Sequence, residues 1–335
     1  RQTDADALVK ERSMKNALKL MLVVALLMGA PVARAQQLHF SYPGLTGDSS
    51  PLWVAKEAGM FKEQGIDARL VYMEGGRLSI QSLLSGSTQF MAGDAVSALS
   101  AVGGAADIVL LASAKNVLSY VFAVSKEIRR PEDLKGKIVA TSQIGGRAGE
   151  IARMVIKNMG LDADRDVTYL AVGGTMSRLA ALSTGKVHAA PISQNVIPVA
   201  EERGLRVLQV DPIPLIIDAL WTTRRYAEEN GDMVQKVLRA YVRGIATLMR
   251  DRETSLEILR RYMRVSDPRV VQHAYELYKK GVDRIPLPSD RAVQNTLEIT
   301  YRISPRLSSV DIKRHLYFAP VQRLRDEGFI ERLYK

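Results

Sequence analysis

The chain contains no cysteine, which removes disulfides, zinc–thiolate centres and cysteine nucleophiles at a stroke. Histidine is nearly as scarce. His39, His188, His273 and His315 lie far apart, and no H-x-x-x-H pair marks a metal-binding helix. There is no G-x-S-x-G elbow, and "GGRAG" at 145–149 only approximates a G-x-G-x-x-G fingerprint. No apolar run reaches the roughly 20 residues needed to span a bilayer. The sequence is therefore read as that of a non-enzyme, with no catalytic residue, cofactor or metal. Lysine and arginine outnumber acids 47 to 36, a formal +11, but the two signs interleave along apparent helices. That pattern describes a solvated surface, so no nucleic-acid partner is expected.

What is present begins with "MKNALKLMLVVALLMGAPVARAQQ" from Met14. Lys15 and Lys19 form a basic segment, Leu20 to Ala30 an apolar one, and Ala33-Arg34-Ala35 an A-x-A cleavage site. Residues 1–35 read as a signal peptide, with 1–13 an over-extended start. Its removal takes six basic and three acidic residues and leaves a charge of +8. The expected location is a Gram-negative periplasm, without a lipid anchor, because no cysteine follows the apolar segment.

From Leu38 strand-like and helix-like segments alternate. Strands are predicted at Leu38–Tyr42, Ala68–Met73, Gln89–Ala92 and Ile108–Ala112, and helices at Pro51–Gln64, from Gly75-Gly76 through Leu84, and at Ala95–Val102. The pattern restarts after residue 119 with Val121–Val124, Ile138–Thr141, a helix Arg147–Met159, Val167–Ala171, a helix after Gly173-Gly174, Val187–Ala190 and Arg206–Val210. This is an α/β rhythm of mostly parallel sheets flanked by helices. Beyond residue 223 helices dominate. With 47% of 335 residues hydrophobic, two lobes can each bury a core.

Several strand-to-helix turns share one design. In "TGDSSPLWVAKEAGMFKEQGID" (46–67) Ser50 is a natural N-cap and Pro51 suits the first helical turn. "VYMEGGRLSIQSLLSGSTQFMAG" and "TYLAVGGTMSRLAALSTGKVHAA" form a weak repeat, and "SQIGGRAG" (142–149) adds a further glycine-rich turn. Glycines let the backbone approach a ligand at the carboxyl edge of a strand, where open α/β sheets bind ligands. The candidate ligand-binding residues are Ser49, Ser50, Gly76, Arg77 and Asp94, together with Ser142, Gly146, Arg147, Thr175 and Ser193. Helix N-termini with Arg77 and Arg147 favour an anion; Asp48, Glu74 and Asp94 favour an amine, and a zwitterion suits both. Arg77 and Arg147 read equally well as exposed first-turn residues. Tyr42, Trp53, Tyr120 and Trp221 are candidates for stacking on an aromatic ligand, and Trp53 equally for the core.

"PLWVAKEAGMFKEQGIDARLV", "LLSG", "AADIVLLA", "RRPEDLKGKIVATSQIGG", "NMGLDADRDVTYLAVGG", "ALSTGKVHAAPIS" and "AEERGLRVL" follow one another over roughly residues 38–225. This series resembles the nitrate/sulfonate/taurine substrate-binding proteins of ABC importers, a family that includes thiamine-pyrimidine-precursor binders. The resemblance implies a type II periplasmic-binding-protein fold, with two lobes that close on a small molecule and deliver it to a permease. It also implies a monomer that meets the membrane only through that permease. Crossovers are expected near 115–120 and 212–220, giving lobe one as 38–116 plus 217–335 and lobe two as 117–216, the helical tail packing on lobe one. A ligand-loaded partner of a membrane sensor would use the same lobes. The eukaryotic pyrimidine synthases of the family use a histidine donor and a cysteine-rich signature, which this cysteine-free chain lacks. If the signal reading holds, mass spectrometry of periplasmic extract finds Gln36 as the N-terminus; an intact Met14 start in the cytoplasm overturns it.

Overall fold

Leu38, Phe40 and Tyr42 alternate inward along β1 (Gln36–Tyr42), the period of a strand with one face on a core. The computed structural model describes residues 35–335 except 46, 74–75, 103–105, 119, 142–146 and 209–211, and only the backbone of Tyr120, Arg147, Ser193 and Asn195. A 3-10 turn, Gly47–Ser49, leads into α1 (Ser50–Glu57). Gly59 then takes a left-handed φ of 75°, so α2 (Met60–Glu63) starts afresh where a single helix over Pro51–Gln64 was predicted.

The first run continues with β2 (Ile66–Tyr72), α3 (Gly76–Leu84), β3 (Phe90–Gly93), α4 (Ala95–Val102) and β4 (Ile108–Leu118). The second holds β5 (Tyr120–Val124), β6 (Lys137–Thr141), α5 (Arg147–Asn158), β7 (Val167–Ala171), α6 (Thr175–Ser183), β8 (Ala189–Ser193), α7 (Ile197–Glu202) and β9 (Arg206–Leu208). β10 (Ile213–Thr223) returns the chain to the first sheet. β4 runs six residues past the predicted end at Ala112. Ser113, Lys115 and Asn116 look like a loop in sequence, yet they are buried within the strand and each has a polar partner.

The two five-stranded sheets share one plan. Their orders are β2-β1-β3-β10-β4 and β7-β6-β8-β5-β9. β1 pairs with β3, and β6 with β7 and β8, in parallel; β10 and β5, in fourth place, run antiparallel to both neighbours. Each sheet thus takes its antiparallel strand from a connection with the other: β4 feeds β5, and β9 feeds β10. The fold is α/β, with two mixed sheets flanked by helices and a helical C-terminal region.

That region comprises α8 (Arg224–Glu229), α9 (Gly231–Arg250), α10 (Arg252–Met263), α11 (Pro268–Gly281), α12 (Asp290–Ile303), α13 (Ala319–Asp326) and α14 (Phe329–Arg332). α9 packs on α1 and α12 on β10 and α4, so much of the tail covers the first sheet. It also reaches elements of the second. His273 Nε2 lies 2.8 Å from the Gln194 carbonyl oxygen, and Arg269 Nη2 lies 2.8 Å from Glu202 Oε1. Ile299 of α12, Val96 of α4 and Leu215 of β10 join Phe122, Val139 and Ile151 in one apolar cluster. Gln37–Lys335 accordingly forms one compact unit.

The tightest approach in this packing is at Gly244 of α9. A Cβ built there would strike the Pro51 carbonyl oxygen and lie 2.9 Å from Ala55 Cβ. Both obstacles belong to α1, whose residues Ser50 to Ala55 are buried. Gly244→Ala is therefore expected to destabilise the protein by about 1–3 kcal/mol despite alanine's better helix propensity, read as a Tm several degrees lower. An unchanged or raised Tm would show that α9 can slide on α1.

Candidate ligand-binding site

Helices α1, α3 and α4 start just beyond the carboxyl ends of β1, β2 and β3, and α5 and α6 beyond β6 and β7. Ser49, at the N-cap of α1, makes no side-chain cap bond. Ser50 is the first helical residue, one position later than predicted for it, and its hydroxyl donates back to the Gly47 carbonyl. Gly76 opens α3 against α4, where a Cβ would come 3.2 Å from Ser97 Cβ, and Arg77 beside it is exposed. Asp94 caps α4, its Oδ1 accepting from Ser97 N at 2.9 Å.

In the second run Ser142 and Gly146 lie outside the described residues, as does Glu74 in the first. Arg147 opens α5, and Ser193 ends β8 in register with Tyr120. Thr175 opens α6, and its Oγ1 accepts from Arg178 Nη2 at 3.1 Å. Arg178, only 3% exposed, also donates to the Gly173 carbonyl at 2.7 Å and to the Pro191 carbonyl at 3.2 Å. This arginine, not singled out from sequence, braces the second glycine turn from beneath. The repeat is visible in exposure too: Leu78 and Met176, at matching places in α3 and α6, are 50% and 49% exposed.

The tryptophans serve the core. Trp53 is fully buried and stacks on Tyr262 with centroids 5.1 Å apart, and Tyr42 packs edge-on against it at 5.6 Å. Trp221 is fully buried and donates to the Gly93 carbonyl at 3.2 Å. Stacking on a ligand is therefore not open to either tryptophan, because both faces already pack inside the first sheet's cores.

A polar cluster missed from sequence lies where β4 and β10 pair. Lys115 and Asp218 are cross-strand partners, flanked by register shifts that locally break the ladder. Asp218 is buried, and its Oδ2 accepts from Tyr278 of α11 and, at 3.3 Å, from Tyr241 of α9. Lys115 Nζ lies 3.3 Å from Asp48 Oδ1, in the turn just before Ser49 and Ser50, and 5.6 Å from the Tyr278 ring centre. Next to it Asn116 Nδ2 donates to Asp283 Oδ2 at 2.7 Å. Burial pushes Asp218 up to about 7; the charge on Asp48 adds to the rise, while the tyrosine hydroxyls and Lys115 oppose it. Burial likewise raises Asp283. The sequence signal was a single acid inside the apolar "PIPLIIDALWTT" and a Lys-Asn pair inside "LLASAKNVL".

The histidines stay apart. His315 is buried against the Ile108 carbonyl, 2.7 Å from Nδ1, and His188 Nδ1 accepts from Ile138 N at 3.3 Å. Among the described residues no three His, Asp or Glu side chains gather as a metal site, and no helix is long and apolar enough to cross a membrane.

A profile described as NMT1/THI5 like matches residues 46–255. The chain belongs to the NMT1/THI5-like family. One curated relative of this NMT1/THI5-like chain is YtlA of Bacillus subtilis, described as a candidate binding protein; it is 23% identical over 248 residues, 71% of this chain and 74% of that one. Among solved structures, the periplasmic aliphatic sulphonate binding protein SsuA of Escherichia coli aligns with a TM-score of 0.69 at 22% identity, over 84% of this chain and 97% of its own. The desulfurization enzyme DSZB aligns with a TM-score of 0.64 at 13% identity, over 88% and 99%. One fold therefore serves binding proteins and at least one enzyme.

Asp218 holds its proton in the folded state over a range where the unfolded chain has released it. Its contribution to stability is full below the unfolded carboxylate value, is lost as pH rises towards about 7, and is constant above that. Asp218→Asn removes this loss while keeping an acceptor for the tyrosines. The Tm of the variant minus that of wild type is expected to grow between pH 5 and 8, reflecting about 2.7 kcal/mol over that window. A difference that stays constant with pH would mean that Asp218 is ionised throughout.

Proposed function

We propose that this NMT1/THI5-like chain is a periplasmic solute-binding protein that captures a small anionic or zwitterionic organic molecule between two lobes and passes it to an ABC importer. The matched pair of sheets carries the reading, since each donates strand-to-helix turns of one design and each is tied to the other by the exchanged strands. Residues 38–116 with 217–335 form one lobe and 117–216 the other. The chain passes from one sheet to the other between β4 and β5 and returns between β9 and β10. Ser49, Ser50, Gly76, Arg77 and Asp94 face Ser142, Gly146, Arg147, Thr175 and Ser193 in the closed form, which ligand favours by its differential affinity. Leu78 and Met176, exposed at matching places, flank the apolar part of the ligand. The fold shared with a sulphonate-binding protein supports a sulfonate or a similarly shaped anion. The A-x-A signal before Gln36 supports export.

The test is a thermal-shift and calorimetry series with ethanesulfonate, taurine, simple carboxylates and pyrimidines, followed by small-angle scattering. At 100 times its Kd, a true ligand raises stability by about 2.7 kcal/mol. It is also expected to shrink the radius of gyration and to be recovered chemically unchanged. Arg147→Ala is expected to weaken an anionic ligand by about 1.5–3 kcal/mol while leaving the Tm of the free protein in place. Recovery of a converted product at turnover would overturn the reading in favour of an enzyme.

A further inference from the structure

We propose that Asp218 sets the charge preference of the ligand cleft, binding a proton to admit an anion and releasing it to repel one. The inference rests on the solute-binding reading above and extends it to a residue outside the candidate ligand-binding set. Lys115, Asp48 and Asp218 form a trio with one fixed cation. Lys115 is paired with Asp48 at 3.3 Å and stands opposite Asp218 across the β4–β10 ladder. With Asp218 protonated the trio is neutral; with Asp218 ionised it carries one negative charge. Asp48 belongs to the same 3-10 turn as Ser49, which leads into the N-terminus of α1. An anion held at that N-terminus therefore feels the state of Asp218 through the buried Lys115 and the partly exposed Asp48, so that water screens the effect in part.

Asp218 is the fully buried acid of the cluster, and groups from several elements bear on it. From α9 and α11, Tyr241 and Tyr278 donate to its carboxylate and are themselves pushed up by burial and by Asp218. From β4 comes Lys115 and from the 3-10 turn Asp48. Asp283, just past α11, is taken up by Asn116. Burial places Asp218 at about 7, within the range in which a small pH change alters its charge. Both tyrosine hydroxyls donate to Oδ2, which leaves Oδ1 to carry the proton.

The experiment uses the full chain and ethanesulfonate, whose charge does not change over the range studied. Calorimetry from pH 5.5 to 8.5 at constant ionic strength compares wild type, Asp218→Asn and Tyr278→Phe. Infrared difference spectra of the free proteins follow the protonated carboxyl band. Wild-type affinity is expected to fall about fivefold as pH rises through 7, and the Asp218→Asn profile to be flat. In Tyr278→Phe the fall moves to higher pH, because a hydrogen bond that stabilises the carboxylate is gone. That displacement decides the matter even if Asp218→Asn fails to fold. Identical profiles in wild type and Tyr278→Phe, or no carboxyl band titrating between pH 6 and 8, overturn the proposal alone. Absence of ethanesulfonate binding at every pH, with the band titrating normally, overturns it together with the anion reading.

Discussion

β10 enters the first sheet between β3 and β4, antiparallel to both, and the rest of the structure hangs on that insertion. β4 occupies the edge of its sheet, so β10 is the strand that ties it in, and β4 is also the strand that carries the chain on to β5. The second sheet repeats the arrangement with β5 in the equivalent place. A polar side chain on such a strand cannot turn to water, and Lys115, Asn116 and Asp218 must find partners in the surrounding helices. They do so in α9, in α11 and the segment just after it, and in the turn before α1. The cost of burying them binds the tail to the strands that connect the sheets.

That arrangement makes the connecting strands more than a passive bend. The carboxylate of Asp218, the ammonium of Lys115 and the hydroxyls of Tyr241 and Tyr278 all meet at one break in the ladder. Buried charge in such a place seldom raises stability above what apolar residues would provide. On the other side of the second sheet's turns, Arg178 braces Gly173 and Thr175 in a comparable way, with a buried cation spent on backbone carbonyls and a hydroxyl.

The alternation of apolar strands and amphipathic helices made the α/β architecture legible, because burial on sheet faces leaves periods that survive in one dimension. The NMT1/THI5-like kinship was legible in the order of its short motifs. Fine geometry was not. The break at Gly59 depends on a backbone angle, and the length of β4 depends on partners for Ser113, Lys115 and Asn116 that come from residues as distant as Asp283. Trp53 and Trp221 looked available because strand ends are often open, but neighbours from the C-terminal helices and β3 enclose them. Lys115, Asp218 and Arg178 escaped notice since nothing local distinguishes a buried charge from an exposed one. Asp218 and Lys115 left a trace, as charged residues in otherwise apolar stretches, and Arg178 left none.

The shared plan of the sheets also imposes an order on their completion. All five strands of the second sheet lie between Tyr120 and Leu208, whereas the first needs β1 to β4 and then waits for Ile213–Thr223. A chain lengthening from its N-terminus can therefore close the later-numbered sheet first, while β3 and β4 remain without the strand that joins them. Until β10 arrives, two apolar strands expose unpaired edges, the condition that invites pairing with other chains. The hazard belongs to the nascent molecule and disappears in the finished one.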